Sequence, residues 1–383
     1  MARSLRVGLI GAGFIGRSHG LAIAAVSRVF PEIPIRAEPH ILCDLDPERA
    51  RMAAESLGFA EHTTDWRRAV DGSDAIIVAV PSNLHADIVR RAIAAGKPVL
   101  CEKPVGLSAA EAQSLAEAAA AAGVVNAVGF TYLRAPLVRE ARRILDSGRI
   151  GRPVHFNGRH CEDYLADGAA PFSWRLDAAI AGRCGALGDL GCHILSIARY
   201  LCGPVEALVG IGTTVHRKRP HGGASRAVEN EDHAAALLRF RGGVPGIVEA
   251  SRVAHGRKMD IGFELVCERG TLRFDGERMN ELQLYVDEGD KREAGFRRIL
   301  IDPAHPDYAG FLPAPGHGLG FNDLKTIELR AFLDGIATGR NVDPDLFEAA
   351  RISRVCEAIL DSAAAGQWIT DPERTPHEER QPA

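Results

Sequence analysis

The feature that most constrains the fold is a glycine-rich loop near the N-terminus, Gly11-Ala12-Gly13-Phe14-Ile15-Gly16. It directly follows an apolar strand candidate at residues 6–10 and opens a predicted helix at residues 14–27. In that setting the glycines allow a tight turn, close approach of the backbone to a pyrophosphate, and close packing of helix on strand. The helix N-terminus offers unpaired N–H groups to phosphate. The loop therefore predicts a dinucleotide-binding Rossmann domain, against the alternative of a glycine-rich turn that binds nothing.

The chain divides into two parts with different hydrophobic patterns. Apolar strands alternate with helices at first, which is typical of a parallel sheet covered on both faces. The strands are predicted at 6–10, 41–44, 75–80, 99–102 and 125–129, and the helices at 14–27, 47–57, 86–95 and 109–121. After about residue 130, period-2 alternation predicts a mainly antiparallel sheet. Its strands are predicted at 154–161, 205–212, 233–240, 246–253, 260–268, 271–274, 282–286 and 296–301, with helices at 135–147, 190–201, 323–336 and 344–365.

We therefore expect an α/β protein with an N-terminal doubly wound Rossmann domain and a C-terminal α+β domain. A chain of 383 residues exceeds the size at which one core is usual. The predicted boundaries are 1–129 for the NAD-binding domain, 130–370 for the substrate-binding and oligomerisation domain, and 371–383 for a flexible tail.

Composition and charge exclude several classes of partner. The net charge is −4, whereas nucleic-acid binding needs a basic face. The short run Arg217-Lys218-Arg219 is interpreted as a solvated loop. No long uncharged stretch predicts a membrane span. Eight cysteines without a CxxC pair indicate apolar fillers in a reducing cytoplasm.

Cofactor selectivity is expected to be set at Asp44, where the second strand ends. An acidic residue there accepts hydrogen bonds from the adenosine ribose hydroxyls and repels a 2′-phosphate. Leu45 and Asp46 follow, so we expect no basic residue to receive that phosphate, and NAD to be favoured over NADP. Asp44 lies further from the last glycine than the ~20 residues usual for the motif, which we attribute to a loop at residues 31–39. The alternative is that Asp44 or Asp46 caps the helix beginning near Pro47.

Three further residues form a candidate catalytic set. Lys103, one of only six lysines, follows a parallel strand at the edge where open sheets bind ligands. Asp189 and His193 are four residues apart, which on a helix places them on one face. A histidine suits removal of the hydroxyl proton when an alcohol carbon gives up hydride, and a lysine stabilises the resulting alkoxide character. The alternatives are a surface lysine and a surface or capping Asp/His pair. We predict no metal, because Cys192 would point away from the Asp/His face.

These motifs together resemble the glucose–fructose oxidoreductase, inositol dehydrogenase and MocA-like family. The resemblance rests on the glycine loop, on Val80-Pro81-Ser82-Asn83-Leu84-His85, on Glu102-Lys103-Pro104 and on Asp189-x-Gly-x-His193, and it runs from Leu5 to about Ala365. It implies an open-faced antiparallel sheet, NAD(P)-dependent oxidation of a ring hydroxyl, and association through that sheet into homodimers or homotetramers. It also implies Lys103, Asp189 and His193 as the catalytic residues, and a cofactor site that includes Pro81, Ser82, Asn83, His85 and Glu102, the last near the nicotinamide.

The stretches at residues 160–164 and 171–175 resemble the branch of the family that acts on scyllo-inositol, L-glucose and levoglucosan. Polar and aromatic groups suit a polyol, and the substrate candidates are Tyr132, Arg159, His160, Asp163, Trp174, Arg175 and His317. The first hypothesis is an NAD-dependent dehydrogenase of a cyclic polyol or aldose, such as an inositol. The alternatives are levoglucosan or glucoside 3-dehydrogenation, NAD-assisted glycoside hydrolysis, and a non-catalytic dinucleotide sensor.

Overall fold

The computed structural model describes residues 2–311 and 314–374. Its helices are α1 (Phe14–Val29), α2 (Pro47–Leu57), α3 (Trp66–Gly72), α4 (His85–Ala94), α5 (Ala109–Ala122), α6 (Pro136–Asp146), α7 (Ala178–Ala181), α8 (Cys192–Cys202), α9 (Phe321–Thr338) and α10 (Leu346–Ala365). Its strands are β1 (Arg3–Ile10), β2 (Ile35–Cys43), β3 (Glu61–Thr63), β4 (Ala75–Val78), β5 (Val99–Cys101), β6 (Asn126–Val128), β7 (Pro153–Cys161), β8 (Val205–Thr213), β9 (Lys218–His221), β10 (Ala224–Ala227), β11 (His233–Phe240), β12 (Pro245–Ser251), β13 (Asp260–Cys267), β14 (Gly270–Asp275), β15 (Glu281–Val286), β16 (Arg297–Leu300) and β17 (Ile369–Thr370).

The chain separates into two compact units. The first contains Met1–Arg134 and Gly318–Ala350, with a short segment that begins at Asp307. The second contains Ala135–Pro306, Ala314–His317 and the chain from Arg351 onward. Most of the tail predicted at 371–383 lies outside the described residues.

The first unit is built on a six-stranded parallel sheet in the order β3-β2-β1-β4-β5-β6. Strands buried on both faces read as continuous apolar runs, and Leu9, Ile77 and Leu100 are accordingly 0% exposed. The predicted Rossmann domain is confirmed. The helix α5 begins and ends as its sequence requires, since the Ser108 hydroxyl accepts the Glu111 N–H and Gly123 adopts φ +62° at the C-cap.

The loop predicted at residues 31–39 is wrong for its second half, because β2 begins at Ile35. The pairing of β1 with β2 shifts where Val7 faces Pro39 and Gly8 faces Ile41. Proline has no N–H to donate to the ladder, so a bulge at this point lets the strand continue past it. The long spacing between the glycine loop and Asp44 therefore comes from a longer strand as well as a loop.

The second unit is built on a nine-stranded sheet in the order β16-β15-β14-β13-β7-β12-β11-β8-β17. Among its described strands only the β12–β7 pair is parallel, so the mainly antiparallel sheet is confirmed. One face packs against α6 and α8, and Phe156 lies in that layer, 6.0 Å from the ring of Phe263. The other face is open and leaves Ile211, Leu237 and Ile247 about half exposed.

The Arg217-Lys218-Arg219 run is only partly a solvated loop. Lys218 and Arg219 begin β9, which pairs with β10 in a hairpin. Lys218 is exposed, but Arg219 is 1% exposed and its guanidinium donates to the carbonyl oxygens of Leu165 and Asp167. The guanidinium satisfies backbone groups of a loop that leads to the candidate site, a role that a local charge count does not reveal.

Two further expectations can be compared with the described residues. None of their helices is long and apolar enough to cross a membrane. No disulfide joins any of the eight cysteines, all of which lie in the described part of the chain, and six of them are buried. Burial of these thiols agrees with their predicted use as apolar packing groups.

Candidate active site

The glycine loop has the geometry of a pyrophosphate site. Gly11 adopts φ +106°, and a Cβ placed on Gly16 would lie 1.8 Å from the Gly11 carbonyl oxygen. Gly13 is the N-cap of α1, and no described atom lies within 4 Å of where its Cβ would be. No described side chain caps α1, so its first N–H groups are available to a ligand. These features fit the phosphates of a dinucleotide.

Asp44 is bonded to this loop. Its Oδ2 accepts the Ala12 N–H at 2.9 Å and its Oδ1 accepts the Asp46 N–H at 3.0 Å. Although partial burial raises the pKa of Asp44, hydrogen bonds from Arg49 and the backbone lower it below its ordinary value overall. Asp46, not Asp44, caps α2 by accepting the N–H groups of Glu48 and Arg49. The capping alternative is therefore confirmed for Asp46, while Asp44 stays turned toward the glycine loop.

The expectation that no basic residue stands near Asp44 is wrong. Arg49 Nη2 donates to Asp44 Oδ1 at 2.7 Å, and its side chain is 54% exposed. The two residues directly after Asp44, Leu45 and Asp46, are not basic. Arg49 lies five positions on, and the first turn of α2 folds it back.

Residues after β4 are tied to the segment that carries Lys103. Pro81 precedes a 3-10 turn at Ser82–Leu84, which includes Asn83, and His85 is buried at the start of α4. The two ring nitrogens of His85 lie 2.8 Å from Pro104 O and 2.7 Å from Val80 O. Burial lowers the pKa of His85. A neutral imidazole has one N–H, so it donates to one of these two carbonyl oxygens, and the bond to Pro104 O is the one that ties the start of α4 to the segment after β5.

Glu102, at the end of β5, belongs to a buried ionic cluster that sequence analysis missed. Lys325 donates to Glu102 and, at 2.8 Å, to Glu328, and His19 Nε2 lies 2.8 Å from Glu102 Oε1. The Thr131 hydroxyl donates to Glu328 at 3.1 Å. Burial raises the pKa of Glu102, but the charge of Lys325 and the His19 bond outweigh it and hold that pKa well below its usual range.

His19, Glu102 and Glu328 have the side-chain types and spacing of a metal site. The Lys325 ammonium, bonded to both carboxylates, already supplies the positive charge at their centre. The cluster is therefore an ion-pair network. It joins α1, the end of β5 and α9, and its signal in the sequence was a lysine and a glutamate three residues apart on one face of α9, Lys325 and Glu328.

In the second unit, Asp189 lies in a π-helical turn, Leu187–Gly191, that runs directly into α8. Asp189 Oδ2 accepts the Tyr164 hydroxyl at 2.6 Å and the Arg175 Nε–H at 3.2 Å. The regular helix predicted over 190–201 thus begins with a wider turn, a feature common at functional sites. Tyr164 lies in the stretch at residues 160–164 but was not among the predicted substrate residues.

Tyr164 acts as a neutral donor to Asp189. The residue is 40% exposed, but desolvation around its hydroxyl, followed by the charge of Asp189, raises the pKa of Tyr164 well above its ordinary value. At neutral pH the phenol therefore keeps its proton. It can stabilise the ionised form of Asp189 without adding a second negative charge.

The segment that carries Asp189 is anchored by Glu231. Its carboxylate accepts the N–H of Gly185 at 2.7 Å and that of Leu187 at 2.8 Å, and its backbone oxygen accepts the N–H of Ala186. Burial raises the pKa of Glu231. A carboxylate can satisfy both N–H groups at once, which fixes the approach to the π-helical turn.

Arg175 is fixed through its own backbone. Its carbonyl accepts Asn230 Nδ2–H at 2.9 Å, and Arg252 donates at 2.7 Å to Asn230 Oδ1 and at 3.0 Å to Asp232. The Arg175 guanidinium lies 4.5 Å from the Trp174 ring centre. The two side chains predicted as neighbours in a sugar shell are therefore in contact with each other.

His193 is 6% exposed on α8. The ring of His160, on β7, lies 5.7 Å from that of His193, and His160 Nδ1–H donates to Leu190 O at 3.1 Å. His160 is 1% exposed. Its position is behind His193, where it packs against the helix.

The remaining predicted residues make other contacts. Arg159 points to the opposite face of β7 from His160, because side chains alternate along a strand, and it pairs with Asp260 at 2.6 Å. Asp163 pairs with Lys258 at 2.7 Å, and His317 is exposed. Tyr132 belongs to the first unit, as does Lys103, and its ring lies 6.3 Å from that of Phe321.

Comparison with known proteins identifies the family. Residues 5–130 match the oxidoreductase family with an NAD-binding Rossmann fold, and residues 138–273 match the GFO/IDH/MocA C-terminal domain. The chain belongs to the GFO/IDH/MocA family of oxidoreductases. The resemblance inferred from the sequence is confirmed, and with it NAD as cofactor.

Individual relatives match most or nearly all of the chain. Levoglucosan dehydrogenase of Pseudarthrobacter phenanthrenivorans is 37% identical over 97% of this chain and 99% of its own length. A structure of levoglucosan dehydrogenase with NADH and levoglucosan has a TM-score of 0.94 and 36% identity, covering 97% of this chain and all of the other. The NAD-dependent scyllo-inositol 2-dehydrogenase of Bacillus subtilis is 28% identical over 71% of this chain and 74% of its own length.

Proposed function

We propose that this chain, an NAD-dependent dehydrogenase of sugar or polyol hydroxyls, oxidises a secondary ring hydroxyl of an anhydrosugar of the levoglucosan type. The observation that carries the proposal is the likeness to levoglucosan dehydrogenase, at 37% identity over 97% of the chain. Likeness to scyllo-inositol dehydrogenase is lower and covers 71% of the chain. These figures favour the levoglucosan alternative over the first hypothesis drawn from the sequence. Inositols and free aldoses become the second candidate substrates.

In the proposed mechanism the glycine loop and Asp44 would hold NAD, which would supply the acceptor for the hydride of the carbinol carbon. His193 removes the hydroxyl proton, and Lys103 stabilises the negative charge that develops on the same oxygen. Asp189 orients the reacting groups and compensates the positive charge that His193 acquires. Tyr164 and Arg175 support this role, because both donate to Asp189 Oδ2 and keep its carboxylate in one position.

Sugar recognition is proposed to centre on Trp174, Arg175 and Tyr132. An aromatic ring offers its face to the C–H groups of a sugar ring, and a guanidinium offers several donors to hydroxyls. His160 is proposed to act by packing against His193. Arg159 and Asp163 would first have to leave Asp260 and Lys258, and His317 lies in an exposed loop, so these three rank below the others.

We also propose that the enzyme is a cytoplasmic homo-oligomer, a homodimer or homotetramer, that associates through the open face of its large sheet. Leu237 on β11 lies directly opposite Ile247 on β12 and Val209 on β8. Ile211, Leu237 and Ile247 are 61%, 48% and 48% exposed. Covering such a patch removes apolar surface from water. The lack of disulfides among its cysteines supports a reducing compartment.

A screen for NADH release tests the proposed function. Levoglucosan, other anhydrosugars, glucosides, inositols and aldoses of both enantiomeric series would each be supplied with NAD and with NADP. We expect the highest kcat/KM for levoglucosan or another anhydrosugar. A higher value for an inositol would replace the proposal with the second candidate. Product formation without net NADH would point instead to NAD-assisted glycoside hydrolysis.

A further inference from the structure

Arg49 stands at the place where a Rossmann domain distinguishes its two nicotinamide cofactors. It lies in the first turn of α2, behind the end of β2, and its Nη2 is 2.7 Å from Asp44 Oδ1. At this position an acidic residue accepts the ribose 2′-hydroxyl of NAD, and an arginine binds the 2′-phosphate of NADP. This chain carries both groups, bonded to each other.

We propose that Arg49 is a 2′-phosphate ligand held in reserve by Asp44, and that the Asp44–Arg49 pair, rather than Asp44 alone, sets the preference for NAD over NADP. The inference rests on the proposed NAD-dependent activity in one respect, namely that the dinucleotide binds at the glycine loop beside Asp44. It does not depend on which sugar is oxidised.

The geometry of Asp44 leaves room for NAD. A carboxylate offers about four acceptor positions, and the described bonds use three of them. Oδ1 receives Arg49 and the Asp46 N–H, and Oδ2 receives the Ala12 N–H. Oδ2 can therefore accept a ribose hydroxyl while Arg49 stays in place. Arg49 then orients Asp44 and offsets its charge.

A 2′-phosphate interacts with the two members of this pair in opposite ways. Its negative charge is repelled by Asp44, and Arg49 can bind it only by leaving that carboxylate. The guanidinium is about half exposed, so it is able to turn, and its fork of donors suits phosphate oxygens. Once the charge at position 44 is removed, Arg49 gains a phosphate partner without losing an ionic one.

Dissociation constants of NAD, NADP and NADPH, measured by fluorescence or calorimetric titration without any sugar, test the proposal. The variants are Asp44→Asn, Arg49→Gln and the double variant. Arg51→Gln serves as a matched control, because Arg51 lies on the same helix but pairs with Glu48 and Glu55. Asp44→Ser repeats the test in case Asn distorts the bond to Ala12, and thermal melting reports whether each variant folds.

We expect Asp44→Asn to strengthen NADP binding about 10- to 100-fold and to weaken NAD binding about tenfold, as for one charged hydrogen bond. Adding Arg49→Gln to Asp44→Asn should remove most of the gain in NADP affinity, whereas adding Arg51→Gln to Asp44→Asn should leave that gain in place. An equal gain for NADP with and without Arg49 would overturn the proposal. Failure of levoglucosan as a substrate would leave these binding constants unchanged, so the two proposals fail separately.

Discussion

Tyr164 donates its hydroxyl hydrogen to Asp189 Oδ2 over 2.6 Å. Tyr164→Phe keeps the ring and removes this bond. We expect kcat to fall about tenfold, the size of one hydrogen bond to a charged group, with the Kd of NAD unchanged. Steady-state kinetics and NAD titration measure both quantities. Tyr285→Phe is the control, because Tyr285 donates to the exposed Asp287 at 3.4 Å. Equal losses in the two variants would remove Tyr164 from the site.

Lys103→Ala and His193→Ala should each abolish NADH production, by about a thousandfold or more, because catalytic acid–base and electrostatic groups contribute on that order. The Kd of NAD should change little, since neither residue is proposed to bind the pyrophosphate. Lys291→Ala is a matched lysine control that breaks only an exposed pair with Asp287. Near-normal turnover in either catalytic variant would show that the assigned set is wrong.

Lys325→Met should destabilise the first unit strongly. It leaves Glu102 and Glu328 buried without their cation, and breaking a buried pair costs about 3–5 kcal/mol. Arg91→Met removes a half-exposed partner of Asp71 and should cost about 0–1 kcal/mol. Urea unfolding at neutral pH compares the two variants, and equal costs would contradict a buried network.

The same pair of proteins tests the pH dependence of the cluster. The pKa of Glu102 in the folded chain lies below its ordinary value of 4.5, so its ionised form adds stability above that pH. This contribution is lost as pH falls from there toward the folded pKa. Without Lys325, burial raises the pKa of Glu102 in the variant above its ordinary value, so the variant takes up the proton first, and the stability difference between the native chain and Lys325→Met should shrink as pH falls from neutral through 4.5 and below. A difference that stays constant down to pH 3 would contradict an ionised Glu102.

Glu231→Gln should lower kcat with little effect on NAD binding. The amide retains one acceptor oxygen for the two N–H groups of Gly185 and Leu187, so the segment before Asp189 loses one anchor. We expect a loss of about 3- to 30-fold, one hydrogen bond in size. Glu229→Gln, at an exposed neighbouring position, is the control. Only a drop in kcat specific to Glu231 would support a positioning role.

Ile247→Lys should break the proposed oligomer, because a charge at the centre of the open sheet face opposes its burial. Light scattering coupled to size exclusion would show a smaller species. Arg241→Lys, at an exposed turn outside the strands, should leave the mass unchanged. A native chain that is already monomeric would end the proposal for this face.

Much of the first unit was predictable because its signals are local. A strand, three glycines and a helix lie within one short segment, and caps such as Ser108 and Gly123 act on neighbouring residues. The pairing of Asp44 with Arg49 escaped prediction although it is nearly local. It depends on the direction in which the first turn of α2 carries residue 49.

The missed parts of the candidate site depend on distant pairings. Lys325 meets Glu102 across 223 positions, and Glu231 meets Gly185 across 46. Neither Lys325 nor Glu231 belongs to a sequence motif, and the partner of each becomes apparent only once the chain is folded. To predict on which face of the sheet Arg159 lies, one must likewise know which face of β7 packs against α8. Alternation along the strand separates the two faces but does not identify that one.

The wide turn at Leu187–Gly191 bears on how this chain should be compared with its relatives. One residue more or fewer in a helix rotates everything beyond it by about 100°. A relative with a regular helix here would carry its equivalent of His193 on another side if the two sequences were aligned without a gap. Homology inferred residue by residue across this turn must therefore allow for a single inserted position, and a deletion between Asp189 and His193 would change the angle between their side chains without altering either residue.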